Sequence, residues 1–430
     1  MSASFGRSEV PRLDVVILGA SGVTGGNALP YLARRATELG RSWGIAGRDP
    51  QLLMRSVADL PADIAQPEIL EADVTDEDSL REIARATKVL VNAVGPYRLS
   101  ADAVIRACIA AGTDYLDVAG ETDVIAEMIA LHHVEAEDAG VRIVQGAGYE
   151  ALPFDLAVQL GSRAAEARGA QMVAADVIAS ISFPSGIPRP SDGVSGGTFQ
   201  STVAAIRGDG IPALLDPASL VTDRVDAAAV RRHSPLGLLP RLAGTSVLIP
   251  MVPSPFTNPQ IIHRTQSLLR TEGRGATTSF RYREGIALAE GLLTLPLQLA
   301  AALPLGAAGL GVQLLARITP APVRRATAAV LEAVGPSAGT GPRADRLEGW
   351  SWRLEVLITA TDGVVDHVVV DADAHPGYLA TSRMIAEAGL LLADEDAKLP
   401  ARCGHLTPAL AFGTDELARF ANAGVRFRAA

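Results

Sequence analysis

The sequence predicts an α/β fold, an N-terminal Rossmann-type, doubly wound parallel sheet followed by a second, α+β substrate domain. Three observations carry that prediction. Short apolar strand patterns alternate with amphipathic helix patterns over residues 1–150, as a parallel sheet buried on both faces requires. The first strand pattern runs directly into a glycine-rich turn that opens a helix. After Pro153 the texture changes to long Gly/Pro/Ser-rich stretches between isolated strands.

The elements follow in order. Residues 14–18 form a strand ending at Gly19, and 27–39 form an amphipathic helix. Residues 42–46 make a second strand, 65–72 contain a third and 88–94 make a fourth, followed by a helix over 101–111. Strands at 114–118 and 142–145 complete a set of six, with a helix over 121–138 between them. Beyond Pro153, the stretches 183–197, 250–259 and 335–342 separate strands at 171–181 and 352–360. Thr361-Asp362-Gly363 joins 352–360 to 364–371 as a hairpin, because Asp-Gly supplies the backbone freedom that a tight turn needs. A last amphipathic helix over 375–392 returns to the first domain. The expected domains are therefore 1–150 for the nucleotide, 151–374 for the substrate and 375–430 as a C-terminal return.

Composition excludes several function classes. The chain has 430 residues, 48% hydrophobic and 20% charged, enough for two or three cores. A net charge of −10 argues against a nucleic-acid partner, since phosphate binding needs clustered cations. The 2 cysteines, Cys108 and Cys403, leave no disulfide scaffold and no cysteine metal site. No apolar run precedes Asp14, so a cytoplasmic protein is expected. Residues 291–316 carry no charge and are interrupted by Pro296 and Pro304. They read as a buried or homodimer-facing helical hairpin, with peripheral lipid contact as the alternative.

The chemistry lies in Gly19-Ala20-Ser21-Gly22-Val23-Thr24-Gly25. One glycine permits the turn, one lets backbone approach a pyrophosphate, and one lets helix pack on strand. The helix N-terminus then faces the phosphates. Strand two ends in Gly47-Arg48, where an NAD site would place an acid. A guanidinium there suits the 2′-phosphate of NADP(H), although Asp49 stands beside it. Asp73, closing strand three, reads either as an adenine contact or as a turn residue. Val94, Gly95 and Pro96 end strand four, where small residues let a nicotinamide ring lie against backbone.

Proton donors are few. Lys88 and Lys398 are the only lysines, and no tyrosine is followed four residues later by lysine. That removes the Tyr/Lys acid pair and lysine catalysis in the second domain. Of the 6 tyrosines, Tyr97, Tyr115 and Tyr149 fall at the carboxyl edge of the sheet, where ligands collect. Glu121 and Glu150 fall at the same edge, and Thr198 follows a permissive turn.

Taken together, these residues resemble the saccharopine dehydrogenase-like oxidoreductase family, in its trans-acting enoyl reductase branch. The resemblance rests on Gly19 to Gly25, Ala46-Gly47-Arg48, Val94-Gly95-Pro96-Tyr97 and Gly112-Thr113-Asp114-Tyr115 with Asp117 and Gly120-Glu121. It continues through Gly148 to Pro153 with Asp155, Ser195-Gly196-Gly197-Thr198, Gly335-Pro336-Ser337, His375-Pro376-Gly377-Tyr378 and Leu406-Thr407-Pro408-Ala409. The chain has Tyr149-Glu150-Ala151 where the family often has Phe-Asp-Ser. The resemblance implies an NADPH-dependent reduction of an activated C=C bond in a hydrophobic, carrier-bound acyl substrate. An imine-reducing amino-acid dehydrogenase is the first alternative and expects arginines in the pocket. A non-catalytic NADP-binding adaptor docking on lipid through 291–316 is the second.

Overall fold

The computed structural model describes residues 12–184, 196–207, 211–237, 239–243, 246–250, 257–287, 319–335, 341–342 and 346–429, with 295, 296, 298, 300 and 302. Nearly all of the uncharged segment 291–316 lies outside the described residues, as do Ser195 and the Thr198 side chain.

Strands β1 (Leu13–Leu18), β2 (Trp43–Gly47), β3 (Glu68–Glu71), β4 (Thr87–Asn92), β5 (Asp114–Asp117) and β6 (Arg142–Val144) alternate with helices. The helices are α1 (Val23–Leu39), α2 (Pro50–Val57), α3 (Glu77–Ala86), α4 (Tyr97–Ala111) and α5 (Thr122–Asp138). All six strands pair in parallel, in the order β6-β5-β4-β1-β2-β3. Val15, Val16 and Ile17 are wholly buried, as expected of a strand covered on both faces. The helix ends have local causes. Asp49 and Asp76 accept backbone N–H bonds at the starts of α2 and α3. Gly40 and Gly112 adopt the left-handed conformation that closes α1 and α4.

A second sheet is built from β7 (Met172–Ser182), β8 (Arg241–Ala243), β9 (Ser246–Ile249), β10 (Arg281–Ala287), β11 (Ser351–Ala360) and β12 (Val365–Ala372). The expected hairpin is β11–β12, with Gly363 at φ 80 and Val364 N–H bonded to Asp362 Oδ1. The C-terminal return does more than pack. Residues Gly404–Leu406 (β13) extend the first sheet beside β6, in parallel, and Val425–Ala429 (β14) extends the second beside β12. The helix expected over 375–392 is a π-turn, Pro376–Ala380, followed by an α-helix, Thr381–Leu392, which lies against α1. Helix α6 (Leu152–Ala167) leads from the first sheet into the second, packing on β11 and β12.

Candidate functional site

The glycine loop between β1 and α1 leaves no room for side chains. Gly19 has φ +87, and a Cβ there would stand 2.7 Å from Val94 Cγ2. A Cβ on Gly25 would stand 2.4 Å from the Gly19 carbonyl oxygen, which is backbone and cannot step aside. Gly22 caps α1 without any side-chain hydrogen bond, so the first-turn amides of Val23 and Thr24 remain available to an anion. Ser21 beside them is exposed.

The end of β2 separates the two neighbours that the sequence leaves side by side. Asp49 spends its carboxylate on Gln51 and Leu52 N–H as the cap of α2. Arg48 is exposed and, among the described residues, its guanidinium holds no hydrogen bond or ion pair. Asp73 is a turn residue: Oδ1 accepts from Thr75 N and Oγ1, and these bonds, with Arg48 nearby, hold its carboxyl below the ordinary range. An exposed guanidinium at the end of β2 fits the 2′-phosphate of NADP(H).

At the end of β4, Gly95 is exposed and a Cβ there would meet nothing within 4 Å, so its backbone lies open. Val94 N–H is fixed by Asn92 Oδ1, and Pro96 precedes the first turn of α4. From Asn92 a buried polar chain crosses the carboxyl ends of the sheet. Asn92 Nδ2 donates to Tyr115 Oη, and Tyr115 donates to Asp117 Oδ2. Gln145 Nε2 donates to the same oxygen, and His405 Nε2 lies 2.9 Å from Gln145 Oε1. Asp117 also accepts from Ala119 and Gly146 N–H; burial nevertheless lifts its carboxyl to about 6.

The three tyrosines are placed differently. Tyr115 is wholly buried, with its hydroxyl held on both sides within the chain just described. Tyr97 is buried; its hydroxyl donates to the Asn92 carbonyl and its N–H to Glu121 Oε1. Tyr149 is buried at the crossover, edge-on to Phe154 and Trp352 at 5.6 and 4.9 Å, and its hydroxyl has no partner among the described residues. Its N–H bonds to Thr381 Oγ1, while Ser382 Oγ bonds to the Thr24 carbonyl. The C-terminal helix thus joins the crossover to the glycine loop. Ala151, two residues on, holds φ 93 without being glycine, local backbone strain of the kind found at functional sites.

Sequence reasoning missed the groups facing Tyr149 from the second sheet. Glu284 on β10 accepts from Tyr282 Oη at 2.7 Å and from Asn258 Nδ2 at 2.9 Å. Asn258 opens the helix Asn258–Arg270, whose preceding Thr257 bonds to the Gly120 carbonyl beyond β5. Nothing local marked Glu284: in the sequence it is one charge in a mixed Arg/Glu run, 140 residues or more from every strand of the first sheet except β13.

Residues 15–144 match the family model described as the saccharopine dehydrogenase NADP binding domain. Along nearly the whole chain, a trans-acting enoyl reductase of Mycobacterium ulcerans is 32% identical, covering 96% of this chain and 96% of its own. One from Mycobacterium leprae is 31% identical, again over 96% of each. A Mycobacterium tuberculosis relative, 33% identical over 97% of this chain and 98% of its own, bears the same name with a provisional prefix. Among solved structures, apo saccharopine dehydrogenase (L-Glu forming) from Saccharomyces cerevisiae aligns over 97% of this chain and 99% of its own, at 12% identity and a TM-score of 0.48. Among the described residues no helix is long and apolar enough to cross a membrane. The matched nucleotide domain and the geometry of its loop identify NADP(H) as the cofactor.

Proposed function

This chain belongs to the trans-acting enoyl reductase family of saccharopine dehydrogenase-like oxidoreductases, and from that premise we propose that it reduces the conjugated C=C bond of a hydrophobic, carrier-bound acyl thioester. It is an NADP-dependent oxidoreductase. The observation that carries the finer reading is similarity to named enoyl reductases over nearly the full length, both sheets included.

Bound NADPH supplies the hydride. The chain's own groups would hold it: the amides of Val23 and Thr24 would take the pyrophosphate, Arg48 the 2′-phosphate, and the open backbone at Gly95 the nicotinamide. Hydride addition to the β-carbon leaves an enolate, and the α-carbon then takes a proton. Of the three tyrosines at this edge, Tyr149 has the hydroxyl without a partner among the described residues, which supports it as the donor. Tyr97 and Tyr115 are tied to Asn92 and Asp117, which supports a role in shaping the floor of the site.

Imine reduction of an amino-dicarboxylate expects arginines around the substrate. Beside Tyr149 stand Glu150 and Glu284, carboxyl side chains that offer no cation to a dicarboxylate. The test is NADPH absorbance loss against a panel of enoyl thioesters, free and carrier-bound, with imino acids alongside. Oxidation with enoyl thioesters is expected. NADPH oxidation with imino acids alone would overturn the enoyl reading.

A further inference from the structure

Where the second sheet closes over the carboxyl edge of the first, three buried polar atoms from three separate elements lack a partner among the described residues. They are Tyr149 Oη after β6, Asn258 Oδ1 at the start of its helix and Glu284 Oε1 on β10. Buried polar groups are almost always satisfied, so three orphans grouped around one carboxyl mark a place that a ligand or water completes. Glu284 is asymmetric in a useful way. Its Oε2 is taken by two donors, Tyr282 Oη and Asn258 Nδ2. When the carboxyl is neutral its proton therefore sits on Oε1, the oxygen that nothing among the described residues engages. Burial favours that neutral form and lifts the carboxyl to about 7, against the pull of its two donors.

Tyr149 has the complementary need. Burial, with the charges of Glu150 and Glu284, pushes its phenol upward, so a free phenolate there is costly. Such a hydroxyl gives up a proton only when another replaces it in the same event.

We propose that Glu284 is the proton-supplying residue of the reduction site, its Oε1–H restoring the proton that Tyr149 passes to the substrate's α-carbon; this rests on the enoyl reductase reading. The balance closes. The electron pair arrives with the hydride at the β-carbon, and NADPH leaves as NADP+. The Tyr149 O–H bond breaks as the α-carbon C–H bond forms. The Glu284 O–H bond breaks as that of Tyr149 re-forms, through a water or substrate oxygen, since the two side chains are not bonded to each other. The carboxylate then takes a proton from water through the surface pocket lined by Pro235, Leu236, Gly237, Pro259, Tyr282 and Glu284.

The groups around Glu284 come from every packed element. Tyr149, itself beside Glu150, faces it from the crossover, Asp155 lies beyond on α6, and Tyr282 shares its strand face. His263, on the Asn258–Arg270 helix, stacks edge-on to Tyr282 at 6.4 Å and is held neutral by burial. Arg283 turns away to Asp176. Asp155 also titrates at about 7, so a pH profile assigns the acid only when wild type and variant are compared.

The experiment uses the full chain and Glu284→Gln, which keeps the shape and the acceptor for Tyr282. Expected are unchanged NADPH affinity by fluorescence titration and a turnover loss of about 100-fold or more. The alkaline fall in wild-type kcat/KM, centred near 7, is expected to be absent from the variant's residual activity, and Glu284→Asp to restore part of the rate. Activity within about threefold of wild type, or an alkaline limb that persists in Glu284→Gln, overturns the proposal. If the wild type reduces only imino acids, the enoyl reading falls and the same comparison on the imine decides Glu284. If no acceptor is turned over, isotope-edited infrared spectra of labelled glutamate decide it. A neutral carboxyl persisting near pH 6 and lost in Glu284→Gln supports the proposal; fully ionised glutamate overturns it.

Discussion

Arg48 stands exposed at the end of β2, without a hydrogen bond among the described residues, while Asp49 is consumed as a helix cap. Replacing Arg48 by Ala is therefore expected to weaken NADPH binding by about 10- to 100-fold, the worth of one or two charge-assisted bonds, and to leave NADH binding unchanged. Fluorescence titration with both nucleotides checks it; equal NADPH affinity in both proteins would remove the 2′-phosphate assignment. The dinucleotide loop was legible residue by residue, because close backbone approach demands glycine at fixed spacing. The Arg48/Asp49 ambiguity was not, since only the position of α2 shows which of the two is occupied. Tyr149 could be named from the sequence, but its unpartnered hydroxyl could not.

At the scale of elements, the C-terminal return is held by a buried ionic cluster. Glu387, wholly buried on the helix Thr381–Leu392, accepts from Tyr31 Oη and Arg35 on α1 and from Arg419. Removing one partner of such a cluster leaves the others charged and buried, which costs about 3–5 kcal/mol. Glu387→Ala should lower the urea-unfolding free energy by that amount. A loss under about 1 kcal/mol would show the cluster to be a solvated surface network instead. The six parallel strands and the β11–β12 hairpin follow from local period and turn chemistry. β13 and β14 do not: each is a short strand whose only reason to be extended is a vacant sheet edge far away in sequence.

For the whole molecule, burial leaves opposing proton linkages. Asp155 and Glu284 are raised to about 7 and Asp117 to about 6. The fold keeps these protons after the unfolded chain has released them, so stability falls as pH rises through that window. His263 and His405 are pushed below 6.5 and contribute the opposite slope, but only below that value. Above it the acids act alone, and stability should decline between about pH 6.5 and 8. Urea midpoints across that range test the sign, and Asp155→Asn should make the decline shallower; an unchanged slope would mean that Asp155 carries none of it. The nucleotide fold, the glycine loop and the family were readable from the residues alone, because short-range spacing and backbone sterics dictate them. Tertiary structure alone brings a second carboxyl, Glu284, into the neighbourhood of Tyr149 beside its sequence neighbour Glu150. Glu284 reaches that place through a strand of the second sheet, and its burial, orphan oxygen and elevated proton affinity exist only once the two sheets close on each other.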